Sequence, residues 1–388
     1  MNEQNKKENP IRILQVLTIM NRGGAETMIM NYYRTVDRTK VQFDFLLHRQ
    51  DKGVFEDEIT ELGGKIYKMP AINPINYFRY KKQLSQFFNE HPEYRIIHSH
   101  LNALSSIILK VAKKKGILVR IAHSHLAVEP YVLKKIFRKN TDIKATVKDF
   151  IQSVVRSGVK KQATHFFACG EKAGRWLFGE ENRNKVQVIN NAIDSSLFTY
   201  NEIKALKIKE NLGLRGKKVI GHVGRFNEQK NHFLLIKIFK QLTLLDKNLI
   251  LVLVGEGNLK EKIIDKVKAL NIEKNVVFLG LRGDIPDVLQ AFDIFLFPSL
   301  YEGLPVTLIE AQASGLKIVT SDTVTKDVAI TDLVTFCKLE DSQTIWAKKV
   351  LENLMYTREN TLQQIIDGNY DVYENAKKLQ KFYLKHSV

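Results

Sequence analysis

The sequence predicts an α/β chain of two doubly wound units, each a parallel sheet with crossover helices, and three observations carry that reading. Short apolar runs rich in Val, Ile and Phe alternate with helix-period segments from one end to the other. The alternation restarts near residue 217, after a polar stretch NNAIDSSLFTYNEIKALKIKE that offers turn residues and then a helical pattern. The chain has 388 residues and 44% hydrophobic content, enough to bury one large core or two medium ones.

In the first half the strand candidates are IRILQVLT (11–18), VQFDFLL (41–47), KIYKM (65–69), YRIIHSH (94–100), LVRIAHSH (118–125), THFFACG (164–170) and KVQVIN (185–190). The second half supplies KKVIGHVG (217–224), LILVLVGEG, VVFLG, DIFLFPS, KIVTSD and LVTFCKL. The segments between them read as helices, and no short repeat or low-complexity tract interrupts them. The domain boundary is expected near residue 195, giving units 1–194 and 195–370. The closing segment, YDVYENAKKLQKFYLKH, reads as one amphipathic helix over 371–388.

Composition narrows the function classes. No run of about 18 apolar residues appears, and the start MNEQNKKENPIRILQV has no signal-peptide core, so the expectation is a cytoplasmic protein. Cys169 and Cys337 sit in separate apolar runs and read as buried, reduced thiols. The net charge of +18 points to anionic partners. Part of it is concentrated in residues 131–163, where nine Lys or Arg face two Asp, a net of 9 − 2 = +7, with apolar residues interleaved at helical spacing. Such a segment is either a solvated basic face or an anionic-membrane contact on the inner face of the cell membrane. Nucleic acid is not expected, because stacking aromatics are few and no binding motif accompanies the charge.

In open parallel sheets, ligands bind outside the carboxyl ends of the strands, and the motifs lie there. After the first strand, Gly23 and Gly24 would let the backbone approach another group closely, before a helix from about Ala25 or Glu26. The pattern is not G-x-G-x-x-G and argues against a dinucleotide site. HSH ends two strand runs, at His98–His100 and His123–His125, and residues i and i+2 of a strand share a face. Four histidines invite zinc, but neither a cysteine nor a spaced carboxylate accompanies them, so hydrogen bonding to a hydroxylated ligand or a neighbouring strand is the better reading. In GRFNEQKNH, Arg225 directly follows Gly224 and Lys230 is five residues on, with a helix expected near Asn231; two cations at a strand's end suit a diphosphate. Gly255 in VGEGN and Leu281 in VVFLGLRGD add turns whose backbone groups could grip a base edge.

SLYEGLPVTLIEAQASG (299–315) carries two carboxylates eight positions apart. Pro305 suits a first helical turn and Gly315 a stop, which leaves Glu302 in the loop and Glu310 in the second turn. One acid can then accept from the cis hydroxyls of a ribose, while the other meets a second sugar. The free N–H groups of Gly303 and Leu304 can face an anion, helped by the helix dipole. A nucleotide sugar has those parts in that order.

Together GGAE (23–26), HSH (123–125), GRFNEQKNH (224–232), LVGEGN (253–258) and YEGLPVTLIEAQASG (301–315) resemble the retaining, GT-B-fold glycosyltransferases of family four. The likeness spans nearly the whole chain, and phrases such as RIAHSH and TSDTVTKDV bring it nearest the branch used in bacterial capsule and exopolysaccharide assembly. The resemblance implies two Rossmann-like domains facing across a cleft, the C-terminal helix returning to the N-terminal one. It also implies Arg225 and Lys230 on the donor diphosphate, Glu310 on the ribose, and Glu302 with the Gly303 and Leu304 amides on the transferred sugar and phosphate. Gly23 and Gly24 would admit donor phosphate and acceptor, and His123, or His125 two residues on, would stand at the reacting sugar. No metal or other cofactor is implied, and no D-x-D pair is present. The expected reaction moves a hexose from a nucleoside-diphosphate sugar, UDP-linked by preference, to a saccharide or lipid-linked acceptor with its anomeric configuration kept. A GT-B epimerase, a non-catalytic sugar-nucleotide-binding subunit and, on charge alone, a nucleic-acid binder are the rival readings.

Overall fold

The computed structural model describes residues 9–125 and 155–387. The basic segment 131–163 lies outside the described residues up to 154, and its end, 155–162, is helical. Contacts divide the chain into Met1–Ala192 with Val372–Val388, and Ile193–Asp371. The sequence reading placed its divisions two residues later at the first break and one residue earlier at the second.

Each unit is built on one parallel sheet, and every expected strand stretch contains a strand. The first sheet holds β1 (Ile11–Leu17), β2 (Val41–Leu47), β3 (Ile66–Lys68), β4 (Ile96–Ser99), β5 (Val119–Ser124), β6 (His165–Ala168) and β7 (Val186–Val188), in the order β3-β2-β1-β4-β5-β6-β7. The second holds β8 (Lys218–Val223), β9 (Leu249–Val254), β10 (Val276–Gly280), β11 (Ile294–Phe297), β12 (Ile318–Ser321) and β13 (Val334–Cys337), in the order β10-β9-β8-β11-β12-β13. In both sheets the order reverses beside the unit's first strand, between β1 and β4 and between β8 and β11. That reversal is the switch point at which crossover helices leave in opposite directions and open a crevice.

The strands run apolar because helices cover both faces. Along β1, Ile13 packs into one core with Phe43, Ile121 and Phe167, while Leu14 and Val16 enter the opposite core with Ile97 and Ala122. The second sheet repeats this: Ile220, Leu251 and Leu296 face one way, and Val219, Val252 and Phe297 the other. Gly221 in β8 is fixed by packing, since a Cβ there would overlap the Phe292 ring.

The last helix, Val372–Lys385, buries Val372, Asn375, Ala376, Leu379 and Tyr383, spaced along one helical face. That face joins the core of the first unit, and Gln380 accepts a hydrogen bond from the Asp37 amide at 2.7 Å. The Tyr383 hydroxyl reaches Gln15 of β1 and His98 of β4. Leu379 is fully buried in the same core. Leu379→Ala is therefore expected to destabilise the first unit by about 2–5 kcal/mol, read by denaturant titration, while hydrogen exchange in β8 to β13 is unchanged.

Candidate active site

The switch point of the second sheet gathers the residues expected to meet a diphosphate and a sugar. β8 runs into Gly224 and Arg225, and β11 into Pro298 and Ser299. The two loops are tied by the Leu300 amide donating to the Gln229 carbonyl at 2.8 Å and Asn231 Nδ2 to the Pro298 carbonyl at 3.1 Å. Between them Lys230 Nζ lies 2.6 Å from Glu302 Oε1, with both side chains mostly buried. Ser299 Oγ donates to the same carboxylate oxygen at 2.8 Å, and Gln229 Nε2 to the other at 3.1 Å. The Lys230 ammonium also sits 4.6 Å over the Phe297 ring. Two groups expected to serve separate parts of a ligand are thus each other's partner here. Arg225 is exposed, and no described residue pairs with its side chain.

The helix expected near Asn231 starts at His232 with Asn231 as its N-cap, and a short turn precedes it. Glu228–Lys230 is a 3₁₀ turn, with the Asn227 side chain accepting from the Lys230 amide. Asn231 is left-handed at φ 52°, and the helix is His232–Leu245. Lys230 is therefore on a short rigid turn in front of a helix. Behind it, His222 and His232 are buried, and both imidazoles are held neutral mainly by desolvation, His232 near 4. The neighbouring turns are pinned by backbone bonds: Gly224 N–H to the Val254 carbonyl and Gly255 N–H to the Gly280 carbonyl, each 2.9 Å. Gly255 needs its freedom, with φ 137° and a Cβ position only 2.1 Å from the Gly224 oxygen. Leu281 follows as an exposed side chain, so only its backbone is a fixed feature of the turn.

The second acid stands apart. The helix runs Val306–Ala313 with Pro305 at its N-cap, so Glu310 is in the second turn and Glu302 in the loop, as the spacing requires. No described residue bonds the Glu310 carboxyl, and burial pushes it up to about 7. An unpaired half-buried carboxyl is costly unless something donates to it. The N–H groups of Gly303 and Leu304 likewise donate to no described residue. Gln229 and Ser299, which steer Glu302, were not singled out from sequence. Their only signal is proximity, Gln229 preceding Lys230 and Ser299 standing three residues before Glu302.

The switch point of the first sheet holds the glycines and histidines. The helix begins at Gly24, with Gly23 as N-cap at φ −104°. Neither glycine closely approaches another segment: Gly24 faces open space, and a Cβ at Gly23 would meet only the Glu26 side chain. The space beside them is open to another group, the approach for which the pair was singled out.

The two HSH pairs bond to each other across neighbouring strand ends, one of the two readings their sequence allowed, and mostly point inward. His98 and His123 are fully buried and His100 nearly so, because the strands bearing them are central in the sheet; only His125 is partly exposed. The rings stack, His98 on His100 at 4.3 Å and His123 on His125 at 4.2 Å between centroids. Their hydrogen bonds run in two lines from Gln15. Gln15 Nε2 donates to the Tyr383 hydroxyl, which lies 2.6 Å from His98 Nδ1, and His98 Nε2 lies 3.0 Å from His123 Nδ1. Gln15 Oε1 lies 2.9 Å from His100 Nε2, and His100 Nδ1 lies 2.8 Å from His125 Nε2. For neutral rings this order assigns the tautomers. It leaves an N–H at His123 Nε2 and a lone pair at His125 Nδ1, both without a partner among the described residues. Nitrogens of His98, His100 and His123 come within 4.8 Å of one another. Imidazole lone pairs lie in the ring plane, however, and stacked rings direct them alongside rather than toward a common ion.

Desolvation holds all four imidazoles below the ordinary histidine range, His125 at about 3. The unfolded chain takes up protons below about pH 6.5 that the folded one refuses. Stability is therefore fully present above that pH and falls as pH drops from there toward 3, by up to about 1.4 kcal/mol per pH unit for each histidine. Denaturant titration of the protein from pH 7.5 to 5 is expected to show this loss. His123→Phe should lessen it by one histidine's share, and an unchanged slope would contradict the buried neutral assignment of His123.

A family profile described as "Glycosyl transferases group 1" matches residues 204–367, and one described as "Glycosyltransferase Family 4" matches 22–197. The chain is 37% identical over 385 residues to the "Putative glycosyltransferase EpsF" of Bacillus subtilis, covering 96% of each. It is 28% identical over 294 residues, 72% of each chain, to an Escherichia coli UDP-Gal:alpha-D-GlcNAc-diphosphoundecaprenol alpha-1,3-galactosyltransferase. Among solved structures, Anabaena Alr3699/HepE in complex with UDP and glucose superposes with a TM-score of 0.76 at 17% identity, covering 97% of this chain and 100% of that one. That likeness gives each unit its place in the GT-B fold.

Proposed function

The chain belongs to the family 4 glycosyltransferases, and from that premise we propose that it moves a hexose from a nucleoside-diphosphate sugar, UDP-linked, to a saccharide or lipid-linked saccharide hydroxyl with retention, in bacterial surface-polysaccharide assembly. The observation that carries this reading is the Lys230–Glu302 pair at the β8/β11 switch point, with exposed Arg225 on the same loop. The choice of UDP and of a lipid-linked acceptor is supported by the activity for which the Escherichia coli relative is named.

In this reading the diphosphate replaces Glu302 as the partner of Lys230, and Arg225 adds a bidentate grip. Glu302, still steered by Ser299 and Gln229, accepts from hydroxyls of the transferred sugar. The Gly303 and Leu304 amides face phosphate, and Glu310 accepts from the ribose diol. As the glycosidic bond breaks, the electron pair stays on the diphosphate, where the two cations stabilise it without a metal. Because no carboxylate is assigned as a nucleophile, attack on the same face keeps the configuration, the departing phosphate oxygen taking the acceptor's proton. On the first unit, His125 is the partly exposed histidine of the group and so the nearer to an arriving sugar, and buried His123 stacks against it.

Lys230→Ala should lower turnover by about a hundredfold or more, the scale of losing one preorganised donor. Transfer assayed with UDP-, GDP- and ADP-sugars and analysed by NMR reports donor, linkage and configuration together. Wild-type turnover by the folded variant, or release of a free epimer without acceptor, would end the assignment.

Glu310 gives a second test. Its carboxyl titrates at about 7 in the free protein, and hydroxyl donors favour the ionised form. Binding of a UDP-sugar at pH 6 should therefore release a proton and weaken as pH falls below 7. Calorimetry in buffers of different ionisation enthalpy reads that proton, and Glu310→Gln should abolish it. A UDP-sugar is the right probe because its diphosphate diester does not titrate in this range.

A further inference from the structure

Among the described residues of the first unit, the loop and helix after β3 carry the most exposed large apolar side chains. Ile75 is 98% and Phe78 81% exposed, three residues apart. They are held there by a built loop. The Asn73 amide donates to Asn76 Oδ1 at 3.0 Å, the Asn76 amide to Asn73 Oδ1 at 2.9 Å, and Asn76 Nδ2 to the Ala71 carbonyl at 2.7 Å. A loop closed by three such bonds is ordered so as to present an isoleucine to water, an entropic cost that no internal contact of that side chain offsets.

Positive charge dominates the helix that follows, while the neighbouring loop carries both signs, Lys68 pairing with Glu56 at 2.9 Å and Lys52 with Asp57 at 2.6 Å. The helix Tyr77–Glu90 carries Arg79, Lys81 and Lys82 in its first two turns and no acid before Glu90. Cations at a helix N-terminus oppose its dipole, so they serve something outside the helix. Lys81 lies 5.1 Å over the Tyr77 ring, while Arg79 and Lys82 have no partner among the described residues. Lys68 Nζ donates to the Gln50 and Asp51 carbonyls at 3.1 and 3.2 Å, which binds in the neighbouring loop with its exposed Arg49 and Val54. Both loops leave the carboxyl ends of their strands, the edge of the sheet at which Gly24 and His125 also stand.

We infer that Ile75 and Phe78 insert into an anionic phospholipid surface, with Arg49, Arg79 and Lys82 on its headgroups. Charge complementarity selects the occupant: apolar tips with the unpaired cations Arg79 and Lys82 on the same helix, and Arg49 on the adjacent loop, fit a bilayer with anionic headgroups and an apolar interior. The inference rests on the proposed function only for its purpose, which is to hold the first unit where a lipid-linked acceptor emerges. It is independent of the basic segment 131–163.

The test uses the full chain and vesicles of about one third phosphatidylglycerol in phosphatidylcholine, without donor or acceptor. Wild-type protein is expected to float with them, less so in high salt, and not with pure phosphatidylcholine. Ile75→Ser/Phe78→Ser should weaken binding about tenfold or more, and Arg79→Gln/Lys82→Gln by a similar factor, with the thermal midpoint unchanged because the side chains are exposed. The indole of a Phe78→Trp variant should be quenched by brominated lipid. Several results would overturn the inference: no wild-type binding, binding unchanged in the apolar double variant, an indole left unquenched in Phe78→Trp, or self-association in sedimentation lost in the apolar double variant. Binding lost only on neutralising Lys134, Lys135, Arg138 and Lys139 would overturn it as well. Turnover on a soluble acceptor, measured on the same variants, is expected to stay at wild type; turnover absent from every form, wild type included, would count against the transferase reading instead.

Discussion

The reversal of strand order in each sheet is the constraint on which the other features depend. Parallel pairing puts every strand's carboxyl end on one edge, and the reversal leaves two neighbouring strands whose following segments diverge. Only there can loops from distant parts of the chain face each other over a gap. In the second sheet those loops bring residues 230 and 302 into contact. In the first, the same geometry sets Gln15 of β1 against His98 and His100 beyond it. The chemistry-bearing residues stand where strands diverge and leave room for their side chains to meet.

The Lys230–Glu302 pair illustrates how a site keeps opposite charges ready. Each side chain is mostly buried and would be costly to leave alone, so each serves as the other's counter-ion. Ser299 and Gln229 hold the carboxylate and Phe297 lies under the ammonium, so both groups are oriented before any ligand arrives. An incoming anion competes for a cation that is already desolvated. Glu310 is the opposite case, a carboxyl that no described residue meets, and burial raises its pKa.

The histidine stack shows the same preorganisation in neutral form. Burial removes charge from four imidazoles, and a glutamine and a tyrosine then settle which nitrogens carry protons. Tyr383 comes from the last helix, so the chain's end takes part in ordering the carboxyl edge of its first sheet. Removing that helix would unsettle proton positions as well as packing.

The sequence by itself determined the local and the chemical: thirteen strand runs, two doubly wound units, the helix carrying Glu310 with Glu302 before it, and the family resemblance of five motifs. These follow from periodicity and from turn residues, which act over a few neighbours. Tertiary structure decided which of those residues meet. The strand order, the bond between Lys230 and Glu302, the roles of Ser299 and Gln229, the burial that hides His123 and leaves His125 partly open, and the exposure of Ile75 and Phe78 all depend on long-range partners. Pairing and desolvation are set by atoms far away in the chain, and no local pattern encodes their distance.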